Sequence, residues 1–232
     1  MSDVASILRT NVSRVRERVA AAAHRSGRDP GDVVLIAVTK YHGAEIADAI
    51  VQAGVHDIGE NRLQVAKPKF ASMTTKPTRH FIGPLQTNKV KQVLELFDVV
   101  HSVDRIELAL EINKRAAQLG RNVPCFAQVN VSGEASKGGF EPNDLPGALE
   151  EIAAQCPNIV VRGLMTMAPE SANPDNARPH FARLRQLLEQ ARKAGHDICS
   201  LSMGMSGDFE VAIEEGATHV RIGSALYEGL EA

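Results

Sequence analysis

The sequence lacks tryptophan, and aromatic residues make up only 4% of its 232 positions. Its three cysteines form no C-x-x-C pair, which excludes a disulfide-stapled fold and is typical of a reducing compartment. No apolar run reaches the roughly 18–20 residues that span a bilayer. Basic and acidic residues nearly balance, 26 against 28, so there is no overall basic field for nucleic acid. We therefore expect a globular protein that needs neither a membrane, a metal nor nucleic acid, with a core of aliphatic side chains.

The first 27 residues follow a helical pattern that ends near Gly27 and Pro30. One face carries apolar residues: Val4, Leu8, Val12, Val15, Val19 and Ala22. Arginines lie between them, and such a basic amphipathic helix either binds a charged surface or packs on its own domain. We favour the packed helix. The amino terminus has no signal-peptide apolar core, which together with the sparse cysteines predicts a cytoplasmic protein.

Eight apolar, β-branched runs alternate with segments of helical periodicity. The runs are 33–38, 55–58, 79–82, 99–103, 123–131, 159–167, 198–203 and 219–223. Continuous apolar strands that alternate with helices are typical of a parallel sheet covered on both faces. Eight such units predict an α/β fold of the (β/α)8 TIM-barrel type with an additional amino-terminal helix, and the whole of 1–232 as one domain. The first strand–helix turn also lacks the G-x-G-x-x-G fingerprint of a dinucleotide-binding sheet.

Glycines and aspartates predict where the intervening helices begin and end. The segments 44–53, 104–119 and 175–194 are each followed by a glycine, at Gly54, Gly120 and Gly195. Asp104 and Asp208 stand at expected amino-terminal caps.

Lys40 follows a run of six apolar residues at the carboxyl end of the first predicted strand, where barrels of this type place their sites. In apolar surroundings its amine would lose affinity for the proton and could form a Schiff base with a carbonyl. The alternative is a lysine whose ammonium extends to solvent.

The segments 202–208 and 221–224 follow strands seven and eight and carry glycines and serines just before predicted helices. Loops of this kind form the recurrent phosphate site of the fold, through backbone N–H groups and the helix dipole. Arg221 and Gly223 share one face of the last strand, so Arg221 either faces a ligand at the mouth or pairs with a carboxylate of a neighbouring strand. An amine, a phosphate cradle and a cation together describe a site for a flat phosphorylated aldehyde such as pyridoxal 5′-phosphate (PLP).

The sequence also resembles the pyridoxal phosphate homeostasis protein family, whose single domain is related to the alanine racemase barrel. The motifs that carry the resemblance are L-I-A-V-T-K (35–40), H-D-I-G-E-N (56–61), H-F-I-G-P-L-Q-T-N-K (80–89), H-S-V-D-R (101–105), V-N-V-S-G-E-A-S-K-G-G-F (129–140), G-L-M-T-M-A (163–168) and the long run 201–227. They cover nearly the whole chain in order.

The resemblance implies that Lys40 carries the cofactor as a covalent aldimine and that Arg221 faces the pyridine nitrogen. It further implies phosphate contacts from Ser206, Gly207, Gly223 and Ser224, and ring contacts from Asn61, Met165 and Met203. The chain departs from the family pattern at Arg62 and Arg79, where the family has aromatic residues, and at Ser224, where it usually has threonine.

The expected role is that of a carrier and buffer of PLP, and of other vitamin B6 forms, without a catalytic residue of its own. A racemase needs a second acid–base group opposite the lysine, and only Tyr41 and Tyr227 exist, neither well placed. In the racemases that tyrosine comes from an additional β-domain, for which we find no residues. We expect a monomer that makes transient contact with PLP-dependent apo-enzymes. A weak racemase or another lysine Schiff-base enzyme is the alternative.

Overall fold

The computed structural model describes residues 2–134 and 137–230 as eight parallel strands in a closed barrel. The strands are β1 (Val34–Val38), β2 (Asp57–Glu60), β3 (Thr78–Phe81), β4 (Val99–Val103), β5 (Val123–Gln128), β6 (Ile159–Met165), β7 (Ser200–Ser202) and β8 (His219–Ile222). Each strand pairs with the next along the chain, and β8 pairs with β1, with Val34 opposite His219. The predicted (β/α)8 barrel is confirmed.

Helices surround the barrel and connect successive strands. They are α1 (Ser2–Arg25), α2 (Ala44–Gln52), α3 (Leu63–Ser72), α4 (Val90–Leu96), α5 (Ile106–Gln118), α6 (Leu145–Gln155), α7 (Arg178–Lys193), α8 (Phe209–Glu214) and α9 (Ser224–Tyr227). Within the described ranges, none of them combines the length and apolarity needed to cross a bilayer. Residues 1, 135–136 and 231–232, which include part of the 129–140 motif and the ends of the predicted domain, lie outside the described residues.

The predicted helix ends are largely confirmed. Gly54 and Gly195 follow α2 and α7 with φ of +98° each, a left-handed conformation that glycine adopts without strain. Asp208 directly precedes α8, as expected. The prediction for Asp104 was wrong, because α5 begins two residues later and the Asp104 carboxylate instead pairs with the guanidinium of Arg105.

Helix α1 is packed on the barrel, as the apolar face predicted. Leu8 is fully buried, and the Asn11 amide donates to the carbonyl of Leu226 at 3.1 Å. On the basic face, Arg18 pairs with Glu210 at a nitrogen–oxygen distance of 2.8 Å. Arg14 and Arg25 likewise pair with Glu228 and Glu214, so three arginines of this helix serve the fold by pairing with side chains of the carboxyl-terminal elements.

The barrel interior differs from the aliphatic filling that the composition suggested. Phe126 of β5 packs edge-on against His219 of β8, with ring centroids 5.1 Å apart, and stacks on His101 of β4 at 4.4 Å. His101 also reaches Ser202 of β7 at 2.9 Å. Because β4 and β7 are not neighbours in the sheet, these contacts run through the interior. Rings and polar groups fill that layer, while aliphatic side chains pack between strands and helices.

We expect Leu8→Ala to lower the free energy of unfolding by about 2–5 kcal/mol, because it leaves a cavity beneath α1. Urea unfolding would measure this, with the exposed Arg9→Ala as control, expected to change stability by less than about 0.5 kcal/mol. A Leu8→Ala protein as stable as the control would mean that α1 is not part of the cooperative domain.

Candidate functional site

Lys40 lies two residues beyond β1, at the mouth formed by the carboxyl ends of the strands. Its side chain is half-buried, and its Nζ rests 4.8 Å from the ring centroid of Tyr41. That ring is 84% exposed. The amine therefore lies at the barrel mouth with its stem half-buried, a position that both alternatives for this lysine allow.

A buried clamp holds the backbone just before Lys40. The Lys69 ammonium of α3 donates to the carbonyl of Thr39 at 2.6 Å and forms an ion pair with the carboxylate of Glu60. The Thr39 hydroxyl donates to the same carboxylate. The side chains of Lys69 and Glu60 are 3% and 0% exposed. Sequence reasoning missed this clamp, although Ala66, Lys69 and Phe70 share one helical face and a lysine there signals a buried charge.

His42 and Tyr227 form the wall beside the clamp. Their ring centroids are 4.0 Å apart. Burial raises the pKa of the Tyr227 phenol, and the nearby Glu60 carboxylate raises it further, so the phenol keeps its proton. Burial also lowers the pKa of His42, with a smaller contribution from the Lys69 charge. The Tyr227 hydroxyl and the second Glu60 oxygen, both buried, have no hydrogen-bond partner among the described residues.

The loops after β7 and β8 are joined through Ser206, whose Oγ accepts the backbone N–H groups of Gly223 at 3.1 Å and Ala225 at 3.4 Å. The backbone N–H groups of Ser206, Gly207 and Ser224 find no acceptor within 2–134 and 137–230. We call Ser206, Gly207, Gly223 and Ser224 the anion cradle. Since α8 and α9 span only six and four residues, local N–H groups rather than a long helix dipole supply its donors.

The cradle is open and lies next to Lys40. A Cβ added at Gly207 would meet no atom within 4 Å, and one at Gly223 would meet only Val38, at 3.8 Å. Ile222 pairs with Ala37 across the β8–β1 seam, so the strand that leads to Lys40 and the strand that leads to the cradle are neighbours.

Arg221 points into the barrel and is only 4% exposed. Its guanidinium donates to the Ser202 hydroxyl at 2.7 Å and to the Thr166 carbonyl at 2.9 Å. These partners are neutral, so the alternative of a direct pair with a neighbouring strand's carboxylate was wrong. Burial lowers the pKa of Arg221 to about 10, partly opposed by the charge of Asp208, and the group is a cation at neutral pH.

The three residues that we expect to contact the cofactor ring lie at different depths. Asn61 is half-buried directly after β2, and its carbonyl would lie 2.2 Å from a Cβ added at Gly83, so only glycine fits there. Met165 ends β6 and Met203 follows β7, and both are 0% exposed. The two methionines are therefore covered and lie beneath the surface of the mouth.

The site residues fit a phosphorylated aldehyde on chemical grounds. A lysine amine can bind the carbonyl, and backbone N–H groups with two hydroxyls can bind a dianion. The orphaned Tyr227 hydroxyl and Glu60 oxygen line the same mouth. Among the described residues, no group of three or more histidine, cysteine or acidic side chains is arranged to hold a metal ion.

Comparison with known proteins agrees with this fold. The family model of the alanine racemase, N-terminal domain, matches residues 8–231, which defines the class of barrel. Pyridoxal phosphate homeostasis protein of Pseudomonas aeruginosa is 46% identical over 224 residues, covering 96% of this chain and 95% of that protein. The pyridoxal phosphate homeostasis protein of Aquifex aeolicus is 43% identical over 218 residues, covering 93% of this chain and 95% of that protein.

A solved structure is similar as well. PipY of Synechococcus elongatus, with PLP bound, has a TM-score of 0.80 at 34% identity, covering 92% of this chain and 99% of that one. The chain belongs to the pyridoxal phosphate homeostasis protein family, and the resemblance seen in the sequence motifs is confirmed.

We expect Lys69→Met to lower the free energy of unfolding by about 3–5 kcal/mol, because it leaves the Glu60 carboxylate buried without its counter-charge. Adding Glu60→Gln should restore part of the loss, since the remaining amide is neutral. Chemical unfolding measures both. Lys67→Met, on an exposed face of the same helix, is the control and should be nearly neutral. Equal stability of the Lys69 and Lys67 variants would contradict the clamp.

Proposed function

We propose that this chain binds PLP and acts as its buffer and carrier in vitamin B6 homeostasis. The observation that supports this best is the position of Lys40 beside an open anion cradle, on neighbouring strands of the barrel. The name shared by relatives at 43–46% identity supports the same role, as does the PLP-bound structure of PipY.

In this proposal Lys40 would hold the cofactor covalently, as a Schiff base whose formation releases the aldehyde oxygen as water. The cofactor would supply the electrophilic aldehyde, and the flexible stem of Lys40 would swing its amine away from Tyr41 to meet it. The clamp of Glu60 and Lys69 fixes the Thr39 carbonyl, so the swing would start from a rigid backbone. The N–H groups of Ser206, Gly207 and Ser224 would hold the phosphate, with the Ser206 and Ser224 hydroxyls beside them.

Arg221 would face the pyridine nitrogen, and Asn61, Met165 and Met203 would supply the contacts to the ring. An arginine cannot donate a proton to that nitrogen as a carboxylic acid can, so the bound ring remains a weak electron sink. Tyr227, kept neutral by burial, makes a poor second base. Relatives are named as homeostasis proteins rather than enzymes, and we propose a non-catalytic role.

The wider setting belongs to the same proposal. We propose a single-domain monomer in the cytoplasm that also takes other B6 vitamers and makes transient contact with PLP-dependent apo-enzymes. Cys125, Cys156 and Cys199 are free thiols, which agrees with a reducing compartment.

We expect Lys40→Arg to abolish the visible absorption of lysine-bound PLP, because a guanidinium keeps the charge but does not form a Schiff base. Borohydride reduction followed by peptide mass mapping should place the adduct on Lys40 in the unaltered protein. Exposed Lys91→Ala is the control and should keep both signals. An unchanged spectrum in Lys40→Arg would overturn the assignment.

The same samples separate carrier from racemase. Incubation with amino acids in heavy water should give no Cα deuterium exchange above the rate with free PLP. Faster exchange that depends on Lys40 would favour the racemase alternative and contradict a purely binding role.

We expect Ser206→Ala with Ser224→Ala to weaken PLP binding by about tenfold or more, because charge-assisted hydrogen bonds to the phosphate are lost. Pyridoxal, which has no phosphate, should bind with less than about a twofold change by that same argument. Ser224→Thr keeps the hydroxyl and is the control. Equal weakening of both ligands in equilibrium titrations would mean that the cradle does not hold the phosphate.

A further inference from the structure

A chain of hydrogen bonds leaves Arg221 and crosses the barrel interior. The Arg221 guanidinium donates to Ser202 Oγ at 2.7 Å, and Ser202 Oγ lies 2.9 Å from His101 Nδ1. His101 Nε2 lies 2.9 Å from His80 Nδ1, and His80 Nε2 lies 2.9 Å from Asp57 Oδ1. Five strands contribute one group each: β2, β3, β4, β7 and β8.

This series of hydrogen bonds runs from the buried guanidinium of Arg221 to the carboxylate of Asp57 at the opposite end of the barrel. Asp57 is the first residue of β2, and its side chain is 28% exposed. The groups between the two ends are almost fully covered: His80 is 3%, His101 0% and Ser202 0% exposed. Water therefore has little access to the middle of the chain, and the groups there must satisfy one another.

The two ends restrict the direction of the bonds between them. A guanidinium can only donate and a carboxylate can only accept. Ser202 accepts from Arg221, and in the pattern that keeps both rings neutral its single proton goes to His101 Nδ1. His101 then donates from Nε2 to His80 Nδ1. His80 donates from Nε2 to the carboxylate of Asp57.

The reverse arrangement needs a charge on His80. If Ser202 accepted from His101 Nδ1 as well, His101 Nε2 would have to accept from His80 Nδ1. A neutral His80 would then present a bare nitrogen to the Asp57 carboxylate, lone pair against lone pair. A doubly protonated His80 would satisfy these bonds, but it would add a second cation to an interior that already holds Arg221, and burying a further charge costs free energy.

We propose that Ser202, His101, His80 and Asp57 form a hydrogen-bond relay, directed from Arg221 to Asp57 with both rings neutral, that positions the Arg221 guanidinium at the cofactor site. The inference rests on the proposed function, in which Arg221 is a cofactor contact. The relay uses one N–H of Arg221 and fixes the plane of its guanidinium. The four are positioning residues, since each acts through its neighbour and only Arg221 meets the ligand.

The surroundings agree with a neutral His101 ring in the relay. Burial lowers the pKa of His101 well below its ordinary value, and the neighbouring His80, Arg221 and His219 lower it further. Phe126 stacks on the His101 ring at 4.4 Å and leaves that face without a polar partner. The relay thus runs between apolar walls, where an unmade hydrogen bond is costly.

The first test reads the protons directly and needs no cofactor. Long-range ¹H–¹⁵N correlation spectra of the full chain at neutral pH should show His80 and His101 protonated at Nε2 only. Signals are assigned by their loss in His80→Gln and His101→Gln. A proton on Nδ1 of either ring, alone or with one on Nε2, overturns the relay, whatever the protein binds.

The second test compares Ser202→Thr with Ser202→Val, two side chains of nearly equal shape that differ by the hydroxyl. The threonine variant should bind PLP much as the unaltered protein does. The valine variant should bind about tenfold or more weakly, because a buried charged donor loses its acceptor. Equal binding by the two variants overturns the positioning role.

The third test alters the accessible end of the relay, where folding is least at risk. Asp57→Asn keeps an oxygen acceptor but removes the charge, and we expect PLP binding to weaken at least about threefold, because charge-assisted hydrogen bonds are roughly twice as strong as neutral ones. Asp98→Asn, an exposed carboxylate next to the start of β4, is the matched control and should leave binding unchanged. Equal effects would overturn the role of Asp57. If the unaltered chain bound no PLP, the proposed function would fail, and the ring spectra would still decide the relay.

Discussion

Closure of the barrel, through the pairing of β8 with β1, is the constraint on which the rest of this structure depends. It places Ile222 of β8 opposite Ala37 of β1. Lys40, which follows β1, and the part of the anion cradle that follows β8 therefore lie at the same mouth. Lys40 and the anion cradle are more than 160 positions apart in sequence and become neighbours only through this seam. Helix α1 packs against α8 and α9 and so covers the outside of the region that the seam joins.

The second feature that shapes the protein is the burial of charge around the site. Lys69, Glu60 and Arg221 are almost wholly covered, and each such group loses hydration worth several kcal/mol unless partners replace it. The clamp supplies those partners for Lys69 and Glu60, and the interior hydrogen bonds supply them for Arg221. Their common effect is rigidity, since a satisfied buried network has few alternative arrangements. A rigid floor suits the binding and release of a ligand, which is the role proposed above.

The same features explain why a racemase-like barrel fits a carrier role. His42 and Tyr227 form the wall beside the clamp that holds Thr39, and burial disfavours the charged form of both. Tyr41 is exposed beside the lysine and lies outside the wall. The site therefore joins strong groups for binding an aldehyde and a phosphate with weak groups for moving a proton to and from a substrate carbon.

The sequence by itself determined the strand–helix alternation, the closing glycines and the mouth residues, because each depends on local periodicity or on position at a strand end. It placed Lys40 and Arg221 at the mouth but left open which way each points. Only the tertiary structure decided those orientations, the clamp of Glu60 with Lys69, and the barrel filling of His80, His101 and Phe126. The residues that contact one another here lie on different strands and helices. Sequence periodicity shows which face of its own element a residue occupies, but it does not show which residue of another element packs against it. The expectation of an aliphatic barrel interior was wrong for this reason. The composition gives the number of aromatic residues, but it does not show that some of them lie at the barrel axis.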